Sequence, residues 1–94
     1  MTNRHQGSNF DDFLASEGLH IEAEVTALKR VIAHQIEQAL KEEHLSKREM
    51  ARKMQTSRAS LNRLLDPENH ATTLKTLTKA AHALNRHFEF RLDH

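Results

Sequence analysis

Ninety-four residues make one small domain, and so short a chain buries only a modest share of its surface, so a partner or a second copy would add to its stability. Hydrophobic residues make up 37% of it, it has no cysteine, and it has neither a visible signal peptide nor an apolar run approaching a membrane span. Disulfide scaffolds and thiolate metal sites are thereby excluded, no membrane partner is expected, and a cytoplasmic protein is the expectation.

The net charge of +1 hides an uneven distribution. Residues 1–44 carry four Lys/Arg against eight Asp/Glu, a balance of −4; residues 45–65 carry six against one, a balance of +5; residues 66–94 carry four of each. A basic block inside a nearly neutral chain suggests a local phosphate-facing surface, the alternative being a solvated helical face that happens to be basic.

Residues 1–7 show no apolar period and read as unstructured. Ser8 and Asp11 can cap a short helix running to about Ser16, with Phe10, Phe13 and Leu14 on one side, and Gly18 is expected to end it. That segment either presents two aromatics to a protein partner or folds back on its own chain. From Ile21 to Glu43 the apolar positions Ile21, Val25, Leu28, Ile32, Ile36, Ala39 and Leu40 form one stripe, with no Gly or Pro to interrupt a helix about 35 Å long. Its C-terminal half, from about Ile32, is expected to pack on the stretch Ser46–Leu65. Its N-terminal half either packs on a second subunit or a partner, or belongs to the intramolecular core.

The stretch Ser46–Leu65 predicts two short helices joined by a tight turn. Ser46 with Glu49 is a capping box, and Leu45 with Met50 suits a hydrophobic staple. Met50, Ala51 and Met54 share one helical face, Gln55-Thr56 breaks the pattern, and Ser57 offers a second N-cap. Leu61, Leu64 and Leu65 give the second helix its buried side, leaving Arg58, Ser60, Asn62 and Arg63 outward. Two crossed helices of which the second shows hydrogen-bonding side chains are what the DNA major groove accepts.

This stretch resembles the helix-turn-helix of the Xre/Cro-type repressors. The small residue that the family keeps inside its first helix is matched by Ala51 and the aliphatic residue inside its second by Leu61, whereas Gln55 stands where the family usually has Gly in the turn. The likeness extends through Leu74, Leu77, Ala80, Ala81 and Leu84 to about Leu92, and with the long preceding helix it is closest to HigA-type antitoxins within that family. The Gly usual in the family implies a left-handed backbone at Gln55. The resemblance also implies that Lys47, at the start of the first of the two helices, touches the DNA backbone or an outer base, and that a homodimer sets two recognition helices about one DNA turn apart on a palindromic operator.

Beyond that pair, Asp66–Ala71 reads as a loop stopped by Pro67, and in related folds it lies beside the DNA backbone. Thr73 is the expected N-cap of a last helix, Leu74 to Leu84, whose Leu74, Leu77, Ala81 and Leu84 close the core; Asn85 can take the left-handed C-cap conformation. Phe88, Phe90 and Leu92 then alternate with Glu89 and Arg91, which is a strand signal. A lone strand needs another edge, from a second subunit or a bound protein; otherwise this is an unstructured tail with chance alternation. The expected fold is therefore all-α: five helices of the Xre/Cro helix-turn-helix type, with a long N-terminal helix and a short C-terminal β-strand. Residues 1–18 form a flexible segment with a short helix, and residues 19–94 the DNA-binding domain.

Eight histidines include no i,i+4 pair, only two glycines occur, and no nucleophile–base or paired-carboxylate motif stands out, so neither a metal, a cofactor nor an enzyme is expected. In the DNA reading Ser57 caps the recognition helix and offers its N-terminus to a phosphate. Arg58 reaches guanine; Ser60, Asn62 and Arg63 follow on the outward side, with Arg63 on a base or a phosphate. Arg48, Arg52 and Lys53 act electrostatically, part of the set being simply solvated. Two functions fit: the antitoxin of a type II toxin–antitoxin pair, which binds a RelE-type toxin and represses its own operon, or a stand-alone phage-like repressor. The acidic N-terminal third favours the first, because ribonuclease toxins of that kind are expected to be basic.

Overall fold

The computed structural model describes the backbone of residues 2–94 and the side chains of residues 16–94. The readings that concern side chains of residues 1–15, including the docking of Phe10, Phe13 and Leu14, lie outside the described residues. Among the described residues four helices follow one another: α1 (Thr2–Glu42), α2 (Lys47–Lys53), α3 (Arg58–Leu64) and α4 (Leu74–Ala83). Of the expected fold, the all-helical class stands, but five helices and a C-terminal strand do not.

Gly18 is the reason for the lost break. It lies inside α1, its backbone is not left-handed, and an added Cβ there would meet nothing within 4 Å. A glycine mid-helix costs stability but does not enforce a stop unless the chain needs its left-handed conformation. The strand is absent because Phe88 is half-buried against the core and Phe90 stacks on it, ring centroids 6.0 Å apart, while no second strand among the described residues offers a ladder. The alternation at residues 88–92 thus reflects an aromatic anchor on an irregular tail, with Leu92 almost fully exposed.

Among the described residues the core is a single cluster. Ile32, Ala33, Ile36, Ala39 and Leu40 of α1 meet Met50, Ala51 and Met54, then Leu61, Leu64 and Leu65, then Leu77, Ala80 and Leu84. Leu74 departs from expectation: at 72% exposed it heads α4 from outside the core. The α1 stripe is also divided. It is buried from Ile32 onward, but Ile21 and Leu28 are 57% and 53% exposed, so the intramolecular core stops where the stripe passes Lys29.

The three short helices are bounded by their own side chains. The Ser46 hydroxyl accepts from the Glu49 N–H at 3.1 Å while the Ser46 N–H donates to Glu49 Oε1 at 2.9 Å, completing the capping box. Ser57 and Thr73 cap α3 and α4 by accepting from Ser60 and Thr76 backbone N–H groups. At the other ends, α1, α2 and α4 each close in the Schellman pattern, with His44, Gln55 and Asn85 in the left-handed region at φ 55°, 56° and 57°. Behind Gln55, for example, the Thr56 N–H reaches the Ala51 carbonyl at 2.9 Å and the Gln55 N–H reaches the Arg52 carbonyl at 3.0 Å. The left-handed turn expected at Gln55 is therefore present, held by a side chain that gives no local compensation.

Three substitutions test this backbone. Gly18→Ala should raise stability by roughly 0.5–1 kcal/mol and leave the helical circular-dichroism signal intact, since the new methyl enters open space in a helix. A drop in the denaturant midpoint would restore the break at Gly18. Gln55→Gly should stabilise by a few tenths to about 1 kcal/mol, the gain being trimmed by the entropy that Gly adds to the unfolded chain. Asn85→Gly should gain less, because Asn tolerates that conformation. A lower midpoint for the Gln55 variant would place its turn in ordinary geometry.

Candidate nucleic-acid interface

The basic block folds into α2, the turn through Met54–Ser57, and α3. Burying Met50 and Ala51 on one side of α2 sends Lys47, Arg48, Arg52 and Lys53 to solvent; burying Leu61 and Leu64 on one side of α3 does the same for Arg58, Asn62 and Arg63. Glu49 is the one acidic residue in this block. Its carboxylate is held below the usual range by the Ser46 backbone N–H, the Ser46 hydroxyl and the positive charge of Arg52 and Lys53, so it stays ionised and committed to the cap.

The sequence-expected residues do not all stand alike. Arg58 and Asn62 are exposed on α3. Ser57 and Ser60 are engaged with each other: Ser60 receives the Ser57 hydroxyl proton at 3.1 Å and also accepts from the Arg63 guanidinium at 3.0 Å. Ser60, half-buried, thus orients Arg63 along the helix, and the serines act on position more than on a ligand. Lys47 leans towards Glu37 of α1, 3.9 Å away. Arg48, Arg52 and Lys53 project from α2 as a cationic flank.

The loop after α3 is built rather than loose. Asn69 Nδ2 donates to the Arg63 carbonyl at 3.0 Å, capping α3, and its Oδ1 accepts from the Ala71 N–H at 3.1 Å. Asp66 makes a similar turn by accepting from the Glu68 N–H at 3.0 Å. Across from them, the Lys29 ammonium donates to the Asp66 carbonyl at 3.1 Å, the Asn69 carbonyl at 2.7 Å and Thr72 Oγ1 at 3.0 Å. Lys29 is 5% exposed, and burial lowers its pKa against a smaller opposing pull from Asp66. All three of its protons are used, which is how so buried an ammonium is tolerated. One turn earlier, Thr26 Oγ1 and His70 Nε2 share a hydrogen bond of 2.7 Å. So α1 ties down the loop that carries the chain away from α3.

Sequence reasoning passed over Lys29, Asn69 and Lys79. Lys29 sits inside the apolar stripe, four residues after Val25 and four before Ala33, a place where a lysine needs acceptors. Lys79 lies with Ser60, Arg63, Asn69 and Thr76 around a concavity between α3 and α4, and with Lys53 around the next one. Its signal was the Lys75–Lys79 spacing on the outer face of the last helix. Lys79 thus continues the cationic surface of Lys53 and Arg63 from α2 and α3 onto α4. Among the described residues no histidine, aspartate or glutamate group is assembled for a metal ion, and no helix is long and apolar enough to cross a membrane.

Lys29→Met should destabilise the fold by roughly 1–3 kcal/mol, because three charge-assisted hydrogen bonds go and the apolar stem remains. Amide hydrogen exchange should speed up selectively across residues 66–72 as their tether is lost. Uniform acceleration over α2 and α4 instead would mean that Lys29 serves the core and not the loop.

No known protein family, curated protein or solved structure matches this chain.

Proposed function

We propose that this protein is a sequence-specific DNA-binding transcriptional regulator of the Xre/Cro helix-turn-helix type. In this reading it is the antitoxin of a type II toxin–antitoxin pair, repressing its own operon and neutralising a RelE/HigB-type toxin in the cytoplasm. The observation that carries the DNA half is α3 itself. It is capped by Ser57 at one end and Asn69 at the other, buried through Leu61 and Leu64, and turns Arg58, Asn62 and Arg63 outward beside the basic face of α2. A rigid helix with outward hydrogen-bonding side chains suits base edges in a major groove, and the flanking cations suit phosphates. Arg58 and Asn62 read bases, Arg63 a base or a phosphate, and Lys47, Arg48, Arg52 and Lys53 supply charge. A homodimer brings two such helices to a palindromic operator. A stand-alone repressor uses the same surface; the uncovered apolar positions Ile21, Leu28 and Val31 on an acidic stretch of α1 favour the reading with a protein partner.

On a duplex selected from a random library, Arg58→Ala should cost about 1–3 kcal/mol and relax sequence preference at one position of each half-site. Lys53→Ala should weaken selected and random duplexes alike and reduce the slope of log affinity against log salt by about 1. Equal loss of discrimination from both variants would overturn the division of roles, and failure of the wild-type protein to retard any duplex at low salt would overturn the DNA reading.

A further inference from the structure

The apolar stripe of α1 does not end where the core ends. Ile21, Val25, Leu28 and Ile32 recur at intervals of four, three and four residues, a single seam along the helix. Ile32 is buried, Val25 is half-buried, and Ile21 and Leu28 stand more than half exposed. Val31, 53% exposed, widens the seam on one edge. The uncovered face is thus continuous with the core, and it rises from a helix that is rigidly tied to the domain through Lys29 and Thr26. A contiguous apolar face of this kind on a well-anchored helix marks an interaction surface.

The charges beside the seam choose its occupant. Residues 16–28 hold three carboxylates, Glu17, Glu22 and Glu24, and no lysine or arginine. Glu17 and Glu24 run along the same edge as Val31, and Glu22 along the other. His20 Nε2 lies 2.8 Å from Glu24 and His70 Nδ1 lies 3.8 Å from Glu22, and among the described residues no lysine or arginine is paired with any of the three glutamates. A second copy of the chain on this seam would set glutamate rows against glutamate rows, whether parallel or antiparallel, and like charges at flanking positions oppose helix pairing. Lys29, which follows Glu22 on the same edge, cannot relieve this, because its three protons are held by Asp66, Asn69 and Thr72.

We infer that the Ile21–Val31 face of α1 is the docking surface for a basic protein partner, which lays an apolar stripe flanked by lysine or arginine along this seam. The inference rests on the partner-binding half of the proposed function and gives that partner a site and a chemistry; DNA binding through α2 and α3 is separate from it. The surface works by two terms together. Burial of Ile21, Val25 and Leu28 gives affinity, and the glutamate edges select sign and exclude the protein's own helix.

The test uses two synthetic amphipathic helices as probes, both with a leucine seam, one flanked by lysine and its twin by glutamate. Calorimetric titration into the full-length protein at low salt should show one lysine-flanked peptide bound per chain and no binding of the glutamate twin. Leu28→Ser, a change at an exposed position, should weaken the lysine-flanked peptide by roughly tenfold or more. The triple variant Glu17→Lys, Glu22→Lys, Glu24→Lys should exchange the preference in favour of the glutamate twin. Retardation of the selected duplex by each variant reports folding and the DNA surface independently, so a failure here is not mistaken for a failure there. Equal binding of the two peptides, or binding of neither, overturns the inference. If neither binds and Leu28→Ser converts a sedimenting dimer to a monomer, the face belongs to a second copy of the chain.

Discussion

Helices of seven, seven and ten residues are too short to persist alone in water, so everything after residue 45 depends on the wall that α1 offers them. That wall is the buried stripe Ile32, Ala33, Ile36, Ala39 and Leu40. Met50, Leu61 and Leu77 join it in one buried cluster, and Met50 and Leu61 are fully sealed from water. Propensity contributes little. Side-chain caps at Ser46, Ser57 and Thr73 define where each helix starts, and burial on α1 decides that it forms at all. The outward face of α3 is a by-product of that arrangement: once Leu61 and Leu64 are committed inward, Arg58 and Asn62 have only solvent to face.

The same long helix serves a second role. Upstream of the wall, its Lys29 reaches across to three acceptors in the loop after α3, and its Thr26 holds His70 in that loop. The loop in turn caps α3 through Asn69. A chain of polar contacts therefore joins the exposed half of α1 to the end of α3, outside the apolar core. Arg86, kept firmly protonated by Glu42 and Glu43, makes a parallel tie between the end of α1 and the segment beyond α4. Any molecule seated on α1 lies one loop away from the surface that turns Arg58 outward.

The legible parts of this architecture were local. A serine three residues before a glutamate, a serine or threonine before an apolar run, and leucines at helical spacing specify caps and buried faces without reference to the rest of the chain. The left-handed turn at Gln55 had no such local signal; it was read only from the Gly usual in the repressor family that this stretch resembles. The features that escaped were decided by tertiary context. Gly18 has the composition of a stop signal but no requirement for a positive φ, so α1 runs through it. Phe88 and Phe90 alternate like strand residues, yet one is drawn onto the core and the other stacks upon it. Leu74 matched the buried pattern of α4 but falls in its first turn, outside the cluster. Lys29 and Asn69 act across gaps of about forty and six residues, and neither carries a short-range signature that names its partner. The outward placement of Arg58, Asn62 and Arg63 was correspondingly legible, whereas the approach of Lys79 of α4 to Ser60 and Arg63 was not.

The central claim is that the surface of α2 and α3 meets DNA. Titration of the isotope-labelled protein with its selected duplex, followed by amide and guanidinium NMR signals, tests it residue by residue. The account predicts shifts concentrated in Lys47–Arg63 and the loop at residues 66–72, with the outward positions Ile21, Glu24 and Leu28 of α1 unmoved. Shifts confined to α1 or to the segment after Asn85, or no saturable shift at low salt, would contradict it.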